Sequence, residues 1–190
     1  MQVPVASEQT KPPCGSVVCN ETLGEVCTNG KCTCPANMSR SDPSAKCVPV
    51  IQTPLTFIVG TEEGKPLFYS ITDYGDPRNP VYVALSDQFR NDTGKAVNST
   101  TSYAAPRYVS TDVSQISHPR GVNSTWNEGV LVNFTVNTLA SSGAVDRCDL
   151  WDKVIEAIQK TNGAIGGGKL NLGVHNDQLD PCVSVFEHFE

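Results

Sequence analysis

The sequence predicts two modules in tandem, a small disulfide-rich module and then an α+β domain whose antiparallel sheet carries helices on one face. One observation is the uneven placement of cysteine, because six of the eight cysteines lie between Cys14 and Cys47. The other is the order of hydrophobic periods after residue 54, which reads β-α-β-β-α-β. These patterns divide the chain into a linker at 1–13, the cysteine module at 14–47, a linker at 48–53 and the larger domain at 54–190.

The composition indicates an extracellular location, either secreted, in the matrix or at the cell surface. An even number of cysteines concentrated at one end indicates a disulfide framework formed in an oxidising compartment. The acceptor motif for N-glycosylation, Asn-x-Ser/Thr, occurs at Asn20, Asn37, Asn91, Asn98, Asn123 and Asn133. The net charge of −6 and the lack of a long basic run argue against nucleic acid or an anionic membrane as partner.

The ends of the chain predict a fragment of a larger parent protein. Residues 1–10 lack the apolar stretch of a signal peptide, so we expect that a leader was removed. No apolar run approaches the ~20 residues that a membrane span needs. Residues 185–190 carry no anchor or retention signal, and any membrane anchor is therefore expected in the rest of the parent.

The cysteine module is too poor in apolar residues to form a hydrophobic core, so it needs disulfides to fold. Its spacing is Cys-x4-Cys-x7-Cys-x4-Cys-x-Cys-x12-Cys from Cys14 to Cys47. Six cysteines allow fifteen connectivities, and the spacing by itself leaves them open. Asn29-Gly30 is the preferred pair for a type I′ turn and predicts a tight hairpin between Cys27 and Cys32.

The single residue between Cys32 and Cys34, with a longer loop before the sixth cysteine, resembles the EGF-like family. The resemblance implies three disulfides, Cys14–Cys27, Cys19–Cys32 and Cys34–Cys47. Calcium-binding members carry acidic residues before the first cysteine, whereas this chain has Lys11-Pro12-Pro13. No histidine and no Cys-x2-Cys pair accompanies the cysteines, which argues against zinc. We therefore expect no metal and no cofactor.

The larger domain shows six periodic segments. Strands are predicted at 55–59, 108–116 and 129–136 and at Leu170, Leu172 and Val174. One helix is predicted from Asn79-Pro80 to Asn91 and another from Asp149 to Thr161. The third strand places Val130, Val132, Phe134 and Val136 on one face, and the second helix buries Leu150, Trp151, Val154, Ile155 and Ile158.

This order of elements, the segment Glu128-Gly129-Val130-Leu131-Val132 and the helix after Cys148 resemble the SEA domain, an extracellular module of mucins, agrin, perlecan and membrane-protease stems. The resemblance covers residues 54–180 and implies a ferredoxin-like sandwich, with an insert at 91–106. Many SEA domains cut themselves at a Gly-Ser bond, where the serine hydroxyl attacks the preceding carbonyl. The matching pair here is Gly129-Val130, a degenerate cleavage site, and we expect no autoproteolysis. Ser124 and Thr125 lie outside the motif.

Other candidate sites have simpler interpretations, and we predict no catalytic residue. Residues 163–169 match G-x4-GK, but Leu170 replaces the required hydroxyl residue and the segment follows a helix, so a helix-to-strand turn is expected. His118, His175 and His188 lack metal-ligand spacing, and Asp73, Asp76 and Asp87 lack a calcium-loop pattern. Trp126 and Trp151 are interpreted as core or interface residues.

Cys148 and Cys182 remain after the first six cysteines are paired, and we expect them to form a disulfide within the larger domain, with an intermolecular bond as the alternative.

The leading hypothesis is a non-enzymatic structural or adhesion module that binds extracellular proteins or glycans. The alternatives are the stem of a membrane-anchored protease and a mucin-type SEA module. The sequence specifies neither the partner nor the oligomeric state.

Overall fold

The computed structural model describes residues 13–100, 107–123 and 125–182, which form two compact units at 13–48 and 49–182. The first unit is small and rich in disulfides, and the second is rich in β structure and contains few helices. This arrangement confirms the predicted order of a disulfide-rich module and then a larger domain. Each unit is described separately below.

The described residues of the first unit contain three short strands, two of which form a β-hairpin. β1 (Val26–Thr28) and β2 (Lys31–Thr33) pair antiparallel, and β3 (Met38–Ser39) follows. The turn residues Asn29 and Gly30 have φ angles of 50° and 75°. Both angles are positive, as a type I′ turn requires, which explains why Asn-Gly predicted the hairpin.

Sulfur forms the interior of the first unit. The structure joins Cys14 to Cys27, Cys19 to Cys32 and Cys34 to Cys47, with Cα–Cα separations of 5.5, 5.2 and 5.5 Å. These are the pairs that the EGF resemblance implies. Among the described residues of this unit, the buried hydrophobic side chains are the cysteines Cys14, Cys19 and Cys47. Disulfides therefore do the work that an apolar core does in larger domains.

Polar contacts of Glu25 with Asn20 and Arg40, called the clasp below, stabilise the first unit in addition to its disulfides. The carboxylate of Glu25 accepts a hydrogen bond from the Asn20 backbone N–H at 2.7 Å and contacts the Arg40 guanidinium at 2.6 Å. These two contacts lower the pKa of Glu25, and the backbone hydrogen bond from Asn20 is the largest single cause. The clasp therefore depends on an ionised carboxylate.

The second unit contains an antiparallel sheet. Its strands are β4 (Val48–Glu62), β5 (Lys65–Pro66), β6 (Tyr108–Ser117), β7 (Val130–Leu139) and β8 (Leu170–Leu172). The lateral order is β8-β4-β7-β6, and β5 forms a hairpin with the end of β4. Because β7 pairs antiparallel with both neighbours, β4 and β6 run in the same direction, and they are separated in sequence by helical segments.

Three α-helices in the described part of this unit accompany the sheet, namely α1 (Ile71–Tyr74), α2 (Pro80–Ser99) and α3 (Arg147–Lys160). The Asn79 side chain accepts from the Val81 N–H and caps α2, where proline occupies the first turn. The Asp146 carboxylate accepts from the N–H groups of Cys148 and Asp149 and caps α3. Both caps satisfy amide groups that have no partner within the helix.

The hydrophobic core lies between the sheet and the two long helices. An aromatic cluster forms its centre, with the Phe57 ring 5.0 Å from Phe134 and 4.9 Å from Trp151, and with Phe89 4.9 Å from Phe134. The predicted face of β7 is confirmed, because Val130, Val132, Phe134 and Val136 all belong to this core. The predicted face of α3 is also confirmed, with Leu150, Trp151, Val154 and Ile158 buried and Ile155 half-buried.

The first long helix is longer than the sequence pattern predicts. α2 ends at Ser99 instead of Asn91, since Ala96 and Val97 extend its contact with the core. Asp92 and Thr93, which precede Ala96 and Val97 in the helix, are fully buried although they are polar. They interrupt the apolar periodicity from which the end of the helix was predicted. The predicted insert at 91–106 is therefore wrong for residues 91–99, and residues 101–106 lie outside the described part of the chain.

Two other boundaries differ from the prediction. Residues 48–53, predicted as a linker, are the first part of β4, where β-branched residues favour a strand and Pro49 and Pro54 are exposed. Val174, predicted in the last strand, lies beyond β8 and is 74% exposed. Beyond Gly173, whose N–H still donates to the Ile58 carbonyl of β4, the chain turns into the short 3₁₀ helix Asn176–Leu179.

Candidate functional site: the glycine turn before β7

The turn that leads into β7 is built around Gly129, whose φ is +83°. Its N–H donates to the Leu67 carbonyl at 2.9 Å. A Cβ at this position would lie 2.7 Å from the Val59 carbonyl oxygen and 2.7 Å from Cγ2 of Ile58. Both the positive φ and the close approach to β4 therefore require glycine here.

Val130 follows this turn as the first residue of β7, and its side chain is fully buried in the core. Valine carries no hydroxyl, so the residue after the glycine supplies no nucleophile for attack on the Gly129 carbonyl. Thr125 lies earlier, and its hydroxyl donates to the Asn123 side chain at 2.8 Å. Ser124 lies outside the described residues.

The six sequon asparagines occupy different environments. Asn20 and Asn123 are exposed, and each accepts the backbone N–H and the hydroxyl of the threonine in its own sequon. Asn37, Asn91 and Asn98 are also exposed, the first with a φ of 59° and the other two on α2. Asn133 is half-buried on β7, where its amide lies between Thr56 and Gln115 of the neighbouring strands.

The histidines and tryptophans take structural positions. His118 Nδ1 accepts from the Arg120 N–H at 3.0 Å, and its ring lies 5.5 Å from Tyr69. The His175 ring is stacked on Trp126 at 4.6 Å with an interplanar angle of 2°. Trp126 packs with Ile58 and Leu131 in a small cluster separate from the main core. Trp151 lies in the main core. His188 lies outside the described residues.

The turn at 163–169 surrounds a carboxylate and therefore does not suit a phosphate. Ile165 is buried, and a Cβ at Gly168 would lie 2.1 Å from the Asp92 side chain. A fully buried carboxylate beside the loop repels an anion, whereas a phosphate loop offers free N–H groups and positive charge. Lys169, at the end of the turn, forms an ion pair with Glu63 at 2.5 Å.

The other candidate metal ligands do not form an open cation site in the described residues. Asp76 pairs with Arg78 at 2.8 Å, and the hydrogen bonds from Arg78 lower the pKa of Asp76 to about 2. Asp87 pairs with Arg90 at 2.6 Å, and Asp73 is half-buried on α1. The sulfurs of Cys14, Cys19 and Cys32 lie within 4.8 Å of one another, but all three belong to disulfides and offer no thiolate.

Sequence reasoning missed Asn176, which closes an open edge of the sheet. Its Oδ1 accepts from the Ile58 N–H, and its Nδ2 donates to the carbonyls of Ile58 and Gly173, all within 2.9 Å. The side chain thus satisfies the outward backbone groups of β4 just beyond the end of β8. A single asparagine in a polar loop carries no sequence signal for such a role.

The Cys148–Cys182 disulfide joins the first turn of α3 to the end of the described chain, with a Cα–Cα separation of 5.6 Å. Its partner Cys182 is further held by a hydrogen bond from its N–H to the Asp180 carboxylate. All eight cysteines are therefore paired within the chain. No helix in the described ranges is long and apolar enough to cross a membrane.

Comparison with known proteins gives two likenesses. Residues 18–50 match a family described as a TNF receptor-like domain. Over 187 residues, 95% of this chain, the sequence is 38% identical to the transmembrane cell adhesion receptor mua-3 of Caenorhabditis elegans. The chain spans 5% of the length of that receptor. Together with the four disulfides, these likenesses point to an extracellular or cell-surface location.

Proposed function

We propose that the chain is a non-enzymatic adhesion fragment of a larger extracellular protein, and that it binds protein or glycan partners outside the cell. The observation that carries this proposal is the 38% identity to a cell adhesion receptor across nearly the whole chain. The proposed alternatives, a protease stem and a mucin-type module, gain no support from the proteins that the chain resembles.

We further propose that the fragment is an EGF-like module followed by a SEA-type domain. The three disulfides and the hairpin support the first assignment, and the same residues offer a TNF receptor-like module as the alternative. The strand order β8-β4-β7-β6 with helices after β4 and β7 supports a ferredoxin-like SEA sandwich. We place the modules at 14–47 and 54–190, with residues 49–53 joined to the second because they belong to β4.

Adhesion is tested by coating a surface with residues 1–190 secreted from eukaryotic cells and measuring attachment of cells and of isolated extracellular matrix. Attachment is expected to exceed that on an albumin surface and to fall when soluble fragment competes. Reduction of the disulfides supplies a control, because it unfolds the first unit and leaves composition and charge unchanged. Equal attachment to the fragment and to albumin would refute the adhesion proposal.

We also propose that the backbone stays continuous at Gly129–Val130. In a cleaving domain the serine oxygen attacks the glycine carbonyl carbon, the amide becomes an ester, and water hydrolyses that ester. The buried Val130 side chain cannot start this sequence. Intact mass after expression is expected to show one chain, and Val130→Ser restores the missing hydroxyl as a comparison. A wild-type fragment that begins at Val130 would overturn the proposal.

Glycosylation is proposed at the sequons, foremost at the five whose asparagines are exposed in the folded structure, Asn20, Asn37, Asn91, Asn98 and Asn123. At Asn133 the side-chain amide is held between Thr56 and Gln115, so a glycan on its Nδ2 competes for space with the Gln115 contact at 3.4 Å. Glycopeptide mass spectrometry measures the occupancy of each sequon. Unmodified asparagine at all six positions would refute the glycoprotein proposal.

A further inference from the structure

A groove lies between α3 and the segment 172–180 that follows β8, entirely within the second unit. Its volume is about 490 Å³, and its apolar surface comes from Trp151, Ile155, Leu172 and Val174. Trp151 is almost fully buried, whereas Val174 is 74% exposed at the rim. The groove therefore offers a fixed apolar floor and an apolar edge that no described part of the chain covers. We refer to it as the acidic groove.

The charged side chains that line the acidic groove are all negative. Asp152, Asp177 and Asp180 line it, and none of its described lining residues is Lys, Arg or His. Asp152 and Asp177 are exposed on opposite sides, one on α3 and one on the 3₁₀ helix. Carboxylates on both walls of a partly apolar cleft raise the local concentration of cationic groups.

The walls of the acidic groove are anchored to the sheet and to α3. Asn176 holds the outer wall to Ile58 through two hydrogen bonds of 2.8 Å. The Gly173 N–H donates to the same Ile58 carbonyl, and the Cys148–Cys182 disulfide closes the end of the segment. An occupant therefore meets a groove that is already formed, which lowers the entropic cost of binding.

We propose that the acidic groove docks a segment of an extracellular protein partner in which Lys or Arg lies beside aliphatic side chains. The proposal deepens, and rests on, the adhesion function proposed above. The aliphatic groups would cover the floor at Ile155 and Leu172, and the cation would reach Asp152 and Asp177.

Charge complementarity separates this occupant from the alternatives. Residues 183–190 of the chain read VSVFEHFE, and their two glutamates would face like charges in the groove. A second copy of the chain carries a net charge of −6, which opposes self-association through an acidic surface. A basic segment of another protein meets both the apolar and the electrostatic requirement.

The test titrates isotope-labelled residues 1–190 with a synthetic peptide that carries two arginines around a leucine-valine pair, followed by NMR and calorimetry. Shift changes are expected to concentrate at 151–159 and 172–180. Asp152→Asn with Asp177→Asn is expected to weaken binding about fivefold, since two exposed charge contacts are lost. The matched variant Asp87→Asn with Glu128→Gln removes the same charge elsewhere and is expected to change affinity less than about twofold.

Two further peptides separate specific docking from general attraction. A peptide with glutamate in place of arginine is expected not to bind. A peptide with serine in place of leucine and valine is expected to bind several-fold more weakly. On the protein, Val174→Ser is likewise expected to weaken binding of the original peptide several-fold. Equal weakening by both charge variants would overturn the proposal. So would concentration-dependent dimerisation that the groove variant abolishes, or a large gain in affinity when the chain ends at residue 182.

The adhesion assay then separates the two proposals. If the wild-type fragment fails to adhere but binds the peptide in a groove-dependent way, the adhesion function fails and the docking site stands. If the fragment adheres and the groove variant adheres equally well, the adhesion function stands and the docking proposal is overturned.

Discussion

Replacing Asn176 by alanine tests how the edge of β4 is closed. The side chain is 6% exposed and bonds to both the N–H and the carbonyl of Ile58 at 2.8 Å. Ile58 itself is 1% exposed and lies opposite Leu131 of β7. Outward and inward hydrogen bonds alternate along an antiparallel strand, so the Ile58 groups that reach Asn176 point away from β7.

The expected loss follows from counting what Asn176→Ala leaves unpaired. The Ile58 N–H loses its hydrogen bond inside the protein, whereas the Ile58 carbonyl keeps the bond from the Gly173 N–H. The Gly173 carbonyl also loses a donor. An unpaired buried polar group costs about 1–3 kcal/mol, and the half-buried Gly173 carbonyl costs about 1 kcal/mol because water can reach it. The variant should therefore lower the free energy of unfolding by about 2–4 kcal/mol.

Chemical denaturation measures this loss, and hydrogen exchange at the Ile58 amide locates it. Asn171→Ala is the matched control, because Asn171 also bonds to β4, through Thr61 Oγ1 at 3.2 Å, but is half-buried. The control should cost less than about 1 kcal/mol. Asn176→Asp keeps an acceptor for the Ile58 N–H and removes the donor, so it should preserve more amide protection than alanine does.

One result would show that the reasoning is wrong. If Asn176→Ala destabilises the domain no more than Asn171→Ala, and the Ile58 amide exchanges as slowly as before, the side chain does not close the edge. The backbone groups of Ile58 would then be satisfied without it.

Three further predictions follow from contacts described above. Replacing Cys148 and Cys182 by alanine opens a loop with a sequence separation of 34 and should lower the free energy of unfolding by about 3–4 kcal/mol. Chemical denaturation measures this loss, and an unchanged midpoint would contradict the prediction. Gly129→Ala meets a φ of +83° and a backbone oxygen at 2.7 Å, so it should cost at least about 2 kcal/mol, and a neutral effect on the melting temperature would count against the described turn. The Asn20 N–H and Arg40 lower the pKa of Glu25 from 4.5, so its contribution to folding stability is present above pH 4.5 and is lost as the pH falls through the pKa of the folded state. Glu25→Gln should therefore flatten the acid dependence of stability, measured by an NMR-monitored pH titration. An identical pH profile for the variant and the wild type would refute this prediction.

Much of the fold follows from patterns that are local in sequence. Alternating apolar residues from Val130 to Val136 predict β7 because one face of a strand is buried and the other is not. The stripe on α3 is equally direct, and Asn29-Gly30 specifies its hairpin through two positive φ angles. Each of these signals lies within one element and needs no knowledge of a distant neighbour.

The misses involve residues whose role depends on distant partners. Asp92 and Thr93 look like the polar end of a helix, yet both are fully buried where α2 meets the turn at 163–169. Val174 continues an alternating pattern, but Asn176 and Gly173 divert the chain toward Ile58 and end the strand. The acidic groove likewise combines α3 with residues 172–180, so its lining emerges once the fold brings them together.

The bond between Cys148 and Cys182 has a mechanical consequence for the chain. A pull applied to the chain after residue 182 passes through the sulfur bridge to the start of α3 and continues toward β7. Residues 149–181 form a side loop that this covalent path bypasses. The lining residues of the acidic groove, which come from α3 and residues 172–180, all belong to this side loop and lie outside the part of the backbone that the bridge places under load.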